Sequence, residues 1–241
     1  MQNYKIYHFN SLTSTQDKAK EFSKKNLENI VVIADGQTKG RGRFKRKWHS
    51  SKEGLWMSIL VKPKNIEKLQ YLTFAAAICV VKSIKKIVKI KTDIKWPNDV
   101  LYKNKKLCGI LTEGIFGKEN FVVVGIGLNL NQTNFPSEIK NLATSLKIIK
   151  KTSFDKNEFA NVIVGEFFNF YENFYSKNKF DKIMAEWKKY CNTIGKSVLV
   201  TTKTGTVKGK VIGVDDECNL LLKLKNEKII KIMEGDVTIR Y

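Results

Sequence analysis

Cysteine, histidine, proline and arginine are all scarce in this 241-residue chain. Four cysteines, at positions 79, 108, 191 and 218, are too few for a disulfide scaffold, and no C-x-x-C pair is present to hold a structural zinc. They are expected to be reduced core residues. The two histidines, His8 and His49, make no H-E-x-x-H signature. No G-x-S-x-G elbow and no G-x4-G-K-[ST] phosphate loop is found. The longest apolar run, Leu72 to Val81, is about half a membrane span. The N-terminus MQNYKIYHFN lacks the basic-then-apolar order of a secretion signal, so a cytoplasmic protein without membrane attachment is expected. What is present is ordinary core material: 42% hydrophobic and 11% aromatic residues, which excludes a disordered chain.

Charge is abundant and one-sided. Forty-four basic residues face 23 acidic ones, a formal net charge of +21. Taken as a sum, this fits a nucleic-acid binder. The composition of the sum points elsewhere. Arginine, suited to planar and bidentate recognition of phosphate, occurs only at 41, 43, 46 and 240. Three of those four lie within six residues. The total therefore reads as a lysine-rich surface, and the arginine cluster as a functional choice.

Residues 14–26 predict a helix capped by Ser14 or Thr15, and 30–34 a short buried strand. Residues 55–61 predict a strand, 68–86 a buried helix and 92–96 a strand running into the turn Trp96-Pro97-Asn98-Asp99. A hairpin is expected over 99–114, turning at 103–105, and a strand over 120–130. A long aromatic helical pattern covers 155–190. From 195 onward, short alternating segments separated by Gly, Asp and Asn predict a small all-β barrel. About 45 residues is small for independent stability, so this unit is expected to pack on the main domain. The fold class is α/β (α+β), with residues 1–192 as the main mixed-sheet domain and 193–241 as the barrel.

Four motifs carry candidate chemistry. The segment Gly36-Gln37-Thr38-Lys39-Gly40-Arg41-Gly42-Arg43-Phe44-Lys45-Arg46-Lys47-Trp48 interleaves glycines with cations, which lets exposed amides and charges approach a phosphate or carboxylate. Lys95-Trp96-Pro97-Asn98-Asp99 places a cation and a carboxylate on a stiff turn. Lys106, in KLCGIL, enters an apolar strand, where partial desolvation strengthens its charge. Gly125-Ile126-Gly127-Leu128-Asn129-Leu130 begins like a dinucleotide fingerprint, but Leu130 stands at the third glycine, which excludes a Rossmann reading. Its two glycines still suggest backbone close to a ligand.

As a set, Ser14-Thr15, GQTKGRGRFKRKW, KWPNDV, KLCGILTE, GIGLNLN and the terminal EGDVTIR resemble the biotin protein ligases, also called biotin–[acetyl-CoA-carboxylase] ligases. The resemblance runs over nearly the whole chain. It implies a class II synthetase-like catalytic domain with an SH3-like C-terminal barrel. It also implies a two-step reaction: biotin and ATP, with Mg²⁺, give biotinyl-5′-AMP, and a lysine of the biotin carboxyl carrier protein then takes the biotinyl group. On this resemblance Ser14, Thr15, Gln37, Gly40, Arg41, Gly42, Arg43, Lys106 and Gly109 would bind biotin. Arg43, Arg46, Trp48, Lys106, Asn129, Asp236 and Arg240 would bind ATP or the adenylate. Lys106, Arg43 and Asp99 would be catalytic, with Asp99 orienting or deprotonating the acceptor lysine. No protein-only metal site is expected.

Two positions depart from the family pattern: Asp236 stands where some relatives carry Glu, and Gln16 where Asn is frequent. Only 13 residues precede Ser14, too few for the DNA-binding domain some relatives carry, so a ligase-only form without DNA binding is expected. Monomer and homodimer are both open, with the sheet containing 120–130 as a pairing edge. Lipoate–protein ligase is the nearest alternative, and a basic nucleic-acid-binding module the alternative of another class.

Overall fold

The computed structural model describes residues 4–202 and 204–239, so the expectation for Arg240 lies outside the described residues. Seven strands form the first sheet: β1 (Lys5–Leu12), β2 (Ile30–Gln37), β3 (Leu55–Val61), β4 (Asp93–Lys95), β5 (Asp99–Tyr102), β6 (Lys105–Ile115) and β7 (Phe121–Leu128). Their order is β1-β2-β3-β7-β6-β5-β4. β1 and β2 are parallel, and every other neighbouring pair is antiparallel. The parallel pair needs a crossover, which α1 (Thr15–Lys24) supplies. Ser14 caps that helix by accepting from the Gln16 amide at 3.2 Å.

The alternation of β2 and β7 explains the layers. Ile30, Val32, Phe121 and Val123 face α1 with Ala19, forming a small cluster. Val31, Ile33, Val122, Val124 and Ile126 face the opposite way, onto α2 (Gln70–Val88), α4 (Lys156–Phe170) and α5 (Phe180–Tyr190). α2 is alanine-rich and buried on nearly every side because it lies between the sheet and those two helices. α3 (Leu146–Lys150) is a single short turn capped by Ser145.

The structure sharpens three expectations. The strand predicted over 30–34 runs on to Gln37, since its polar end pairs with β1 out to Leu12. The aromatic helical pattern over 155–190 forms two helices, α5 being its Phe180 to Tyr190 stretch, separated by a wide turn at Tyr171–Tyr175 and by Asn178 in the left-handed region (φ 55°). In the sheet containing 120–130, that segment (β7) lies at the centre between β3 and β6, and the strands that could offer a pairing edge are β1 and β4.

β8 (Ser197–Thr202), β9 (Gly205–Val214), β10 (Leu220–Lys223), β11 (Ile229–Ile232) and β12 (Asp236–Ile239) form a second, antiparallel sheet in the order β11-β10-β9-β8-β12. As expected for so small a unit, it does not stand alone. Val198, Val200, Val211 and Leu220 join the main core, the Trp96 indole donates to the Cys218 carbonyl at 2.9 Å, and the Tyr71 hydroxyl donates to the Asp216 carbonyl at 3.0 Å. Cys79, Cys108 and Cys218 are buried thiols, and Cys191 is half-buried.

Trp187 of α5 is fully buried and stacks on Phe74 of α2 with ring centroids 4.1 Å apart. Trp187→Ala is expected to cost about 3–5 kcal/mol of stability, read from the urea midpoint; a change below 1 kcal/mol would show that the α2–α5 contact is dispensable.

Candidate active site

On the α1 face, β7 reads Phe121, Val123, Gly125, Gly127: side chains first, then none. Where they stop, a cleft of about 640 Å³ opens. The absence of Cβ atoms is required there. A Cβ on Gly127 would stand 2.6 Å from Trp48 Nε1, and one on Gly125 2.9 Å from Gln16 Oε1. Gly109, paired with Gly127 across β6 and β7, has Trp48 Cζ3 at 3.0 Å from its would-be Cβ. The indole of Trp48 therefore lies flat in a two-strand slot that only glycine leaves open.

One end of the cleft is neutral and polar. The Thr15 amide and hydroxyl both donate to Gln37 Oε1, at 2.8 and 3.2 Å. Gln37 Nε2 donates to Ser50 Oγ at 2.8 Å, and the Ser58 hydroxyl donates to Thr15 Oγ1 at 2.8 Å. These bonds fix the Gln37 amide orientation, because its oxygen receives two donors and its nitrogen has an acceptor. Arg41 closes this end. It forms a bidentate pair with Asp17 of α1 (2.9 and 2.7 Å) and reaches Glu113 of β6 at 3.3 Å. Glu113 in turn accepts from Gln16 at 2.7 Å and Lys20 at 3.0 Å. Arg41 thus ties the glycine-rich loop to two elements at once.

The other end is cationic. Between Val100 and Leu101 the β5–β6 register shifts, so that Asp99 pairs with Gly109 but Leu101 pairs with Lys106. This bulge buries Leu107 and Cys108 together in the core and turns Lys106 onto the same face as Gly109. The start of β6 is clamped by the segment after β7: the Lys106 amide donates to Leu142 and its carbonyl accepts from Thr144, at 2.7 and 3.0 Å. Lys106 Nζ sits 2.6 Å from Asp99 Oδ1 and 5.0 Å above the Trp48 ring. Lys95 reaches the other Asp99 oxygen at 3.3 Å. Burial pushes the Asp99 pKa up, but the two ammonium groups outweigh it and hold the carboxyl below its ordinary range.

Arg43 donates to Asn98 Oδ1 and to the Gly235 carbonyl, both at 3.3 Å, bridging the Trp-Pro-Asn-Asp turn and the second sheet. Burial draws its pKa down, against the pull of Asp236, Asp99 and Glu234. Arg46 pairs with Asp236. Phe44 and Lys45, between these arginines, both take left-handed backbone (φ 55° and 58°). That conformation costs a non-glycine residue roughly 1–2 kcal/mol, so the loop tip is held by its flanking contacts rather than by local preference.

The structure gathers Ser14, Thr15, Gln37, Arg41, Gly42, Arg43, Arg46, Trp48, Asp99, Lys106, Gly109, Asn129 and Asp236 around one cleft. Gly40 is behind it: a Cβ there would strike Ser50 Oγ at 2.3 Å and the Trp48 carbonyl at 2.6 Å, so its small size serves loop packing. Asn129 faces the cleft while its side chain donates to the Lys106 carbonyl at 3.4 Å and accepts from Gln132 at 3.3 Å. Sequence reasoning gave no cleft role to Asn98, or to the wall formed by Phe135, Ile139, Leu142 and Ala143. Phe135, Ile139, Leu142 and Ala143 are spaced i, i+4, i+7 and i+8, as on one face of a helix. The one legible signal was the spacing of apolar residues within a polar stretch.

Comparison with known proteins accords with this geometry. The sequence profile of the biotin/lipoate A/B protein ligase family matches residues 7–131, and that of the biotin protein ligase C-terminal domain matches residues 193–240. The chain is 40% identical to the bifunctional ligase/repressor BirA of Bacillus subtilis, over 99% of this chain and 75% of that protein. It is 30% identical to the biotin–[acetyl-CoA-carboxylase] ligase of Mycobacterium tuberculosis, over 91% and 82%. The biotin protein ligase of Aquifex aeolicus, solved in complex with biotin and ATP, superposes with a TM-score of 0.86 at 31% identity, covering 98% of each chain. The chain belongs to the biotin/lipoate A/B protein ligase family. Within that family it is a ligase of the biotin type, as its C-terminal domain and these relatives show.

Two outcomes test the geometry. Gly127→Ala should evict the Trp48 indole at a cost on the order of 1–3 kcal/mol, seen as faster proteolysis within residues 36–48; unchanged cleavage would mean that the slot does not hold the loop. Because the folded Asp99 pKa is depressed, its contribution is present above the unfolded value near ~3.9 and is lost as pH falls through the lower folded value. Asp99→Asn should therefore flatten the urea midpoint against pH in that acid window, and an unaltered slope would contradict the pairing.

Proposed function

We propose that this cleft joins the carboxylate of biotin to the α-phosphate of ATP, releasing pyrophosphate, and passes the biotinyl group from biotinyl-5′-AMP to a lysine of the biotin carboxyl carrier protein. The observation that carries the reading is the polarity of the cleft. Fixed neutral groups (Ser14, Thr15, Gln37) stand at one end and Lys106, Arg43 and Arg46 at the other, with Trp48 between them. Biotin has the same polarity: a neutral cyclic urea with hydrogen-bonding groups at one end and a carboxylate at the other. Bringing a carboxylate up to a triphosphate accumulates negative charge, which preorganised cations stabilise as it develops.

Lys106 is the principal cation in this account. Its ion pair with Asp99 and the clamp on its backbone hold it before substrate arrives. Arg43 and Arg46 would hold phosphates, and their contacts to Gly235 and Asp236 would bring the C-terminal sheet into ATP use. Asp99, kept ionised by two lysines, is a weak base at neutral pH, so it serves to hold Lys106 and Lys95 in place rather than to deprotonate the acceptor. Closure of residues 41–46 would keep water from the reactive anhydride. The division at 192/193 follows this split between the biotin-holding domain and the barrel.

Among the described residues no three His, Cys, Asp or Glu side chains converge on a metal position. Mg²⁺, which is usually held by one or two carboxylates together with substrate phosphates, would enter on the triphosphate. Among the described residues no helix is long and apolar enough to cross a membrane. The dithiolane of lipoate offers no hydrogen-bonding groups to the Ser14, Thr15 and Gln37 end, whereas the cyclic urea of biotin does.

Biotin-dependent ATP–pyrophosphate exchange tests the reading. Lys106→Ala should lower the exchange rate by about 100-fold or more with the fold retained by circular dichroism. Wild-type-like exchange in that variant, or lipoate-dependent exchange in the parent, would refute it.

A further inference from the structure

A second cavity, of about 150 Å³, lies beside the main cleft, and no step described so far uses it. Its walls are mostly apolar (Phe74, Trp96, Pro97, Ile110, Leu111 and Met233), and the two hydroxyls among them, Thr73 and Thr112, are bonded to each other. Its outer rim carries Gln70, exposed at the start of α2, and Met233, whose side chain is 81% exposed. Its inner end is formed by Arg43, Asn98, Ile110 and Leu111, which also line the main cleft. The Arg43 to Asn98 hydrogen bond, 3.3 Å, is therefore the polar part of the partition between the two spaces, beside Ile110 and Leu111 of β6.

We infer that this cavity is the passage by which the acceptor lysine side chain reaches the adenylate, with Arg43 and Asn98 at its inner end. The inference rests on the adenylation and transfer chemistry proposed above. Size favours it: four methylenes and an amine are five groups, each on the order of the ~30 Å³ a water molecule occupies in liquid. Chemistry favours it as well. Apolar walls suit the methylene stem. They also disfavour the ammonium form, so the lysine gives its first proton to solvent as it enters and arrives as a neutral nucleophile. The main cleft must hold biotin and nucleotide together, so a third reactant gains from a separate approach. At the inner end the amine lone pair forms the N–C bond to the acyl carbon. The C–O bond to phosphorus-bound oxygen breaks, its electron pair leaves with AMP, and the second nitrogen proton passes to a phosphate oxygen of AMP.

Arg43 gives the two half-reactions an order. Its guanidinium donates to Asn98 and Gly235 and so stands across the inner end of the passage. Drawn to the adenylate phosphate, it leaves Asn98 and opens the way for the amine only once an acyl donor exists.

The test fills the passage and reads the half-reactions separately. Met233→Trp and Gln70→Trp alter exposed rim positions and spare the core. Thr73→Leu narrows the interior, where Thr73 donates to the Thr112 hydroxyl at 2.7 Å. Biotin-dependent ATP–pyrophosphate exchange is compared with single-turnover transfer from enzyme-held biotinyl-AMP, to purified carrier domain and to n-butylamine, which mimics the lysine side chain alone. The ratio of transfer to exchange should fall at least about tenfold for both acceptors. A ratio within twofold of the parent in Met233→Trp and Thr73→Leu overturns the passage, as does an equal fall in both half-reactions. Loss of carrier transfer with unaltered butylamine transfer also overturns it, since that pattern marks an outer docking contact. Absence of exchange in the parent protein would refute instead the proposed function on which the passage rests.

Discussion

Everything in the cleft depends on one indole lying where two side chains are missing. Gly109 and Gly127 pair across β6 and β7, and Trp48 fills the slot above them. That contact anchors the far end of the cation-bearing loop. It also sets the floor beneath Lys106, whose ammonium stands 5.0 Å over the same ring. Glycine serves here through space rather than through backbone freedom: neither residue has a positive φ. The sheet supplies rigidity and the absent Cβ atoms supply the concavity.

Electrostatics then divides the labour among the arginines, which the net charge of +21 conceals. Arg41 is consumed by Asp17 and Glu113 and acts as a tie between the loop, α1 and β6. Arg43 and Arg46 reach across to the second sheet, through Gly235 and Asp236. A lysine could match the charge of each but not the bidentate grip on Asp17. The scarcity of arginine elsewhere is consistent with that use, and most of the remaining positive charge sits on half-buried or exposed lysines that serve the surface.

Much of the fold was legible because its signals are local. Of the two caps expected for α1, Ser14 and Thr15, it is Ser14 that serves, and the 103–105 turn of the β5–β6 hairpin is made by Lys103 and Asn104 in left-handed backbone. The glycines of β7 announced an approach by something, which proved to be Trp48 and Gln16 as well as the open cleft. What escaped the sequence is what depends on three-dimensional partners. The bulge that turns Lys106 toward Asp99 has no glycine to mark it, because Leu107 and Cys108 both simply bury. The wall at 135–143 is irregular and is recruited by backbone bonds to Lys106. Gly40 looked like a ligand contact and is packed under Ser50, since a glycine-rich motif does not say which of its glycines faces inward.

The central claim is that a single cleft makes and keeps an acyl adenylate. Its most direct test is mass spectrometry of the native protein after mixing with biotin and ATP, without any acceptor. The account predicts one retained biotinyl-5′-AMP per cleft, formed only when both substrates are present and lost when carrier domain is added. Retention of separate biotin and ATP without the adenylate, or equal adenylate formation from lipoate, would contradict it.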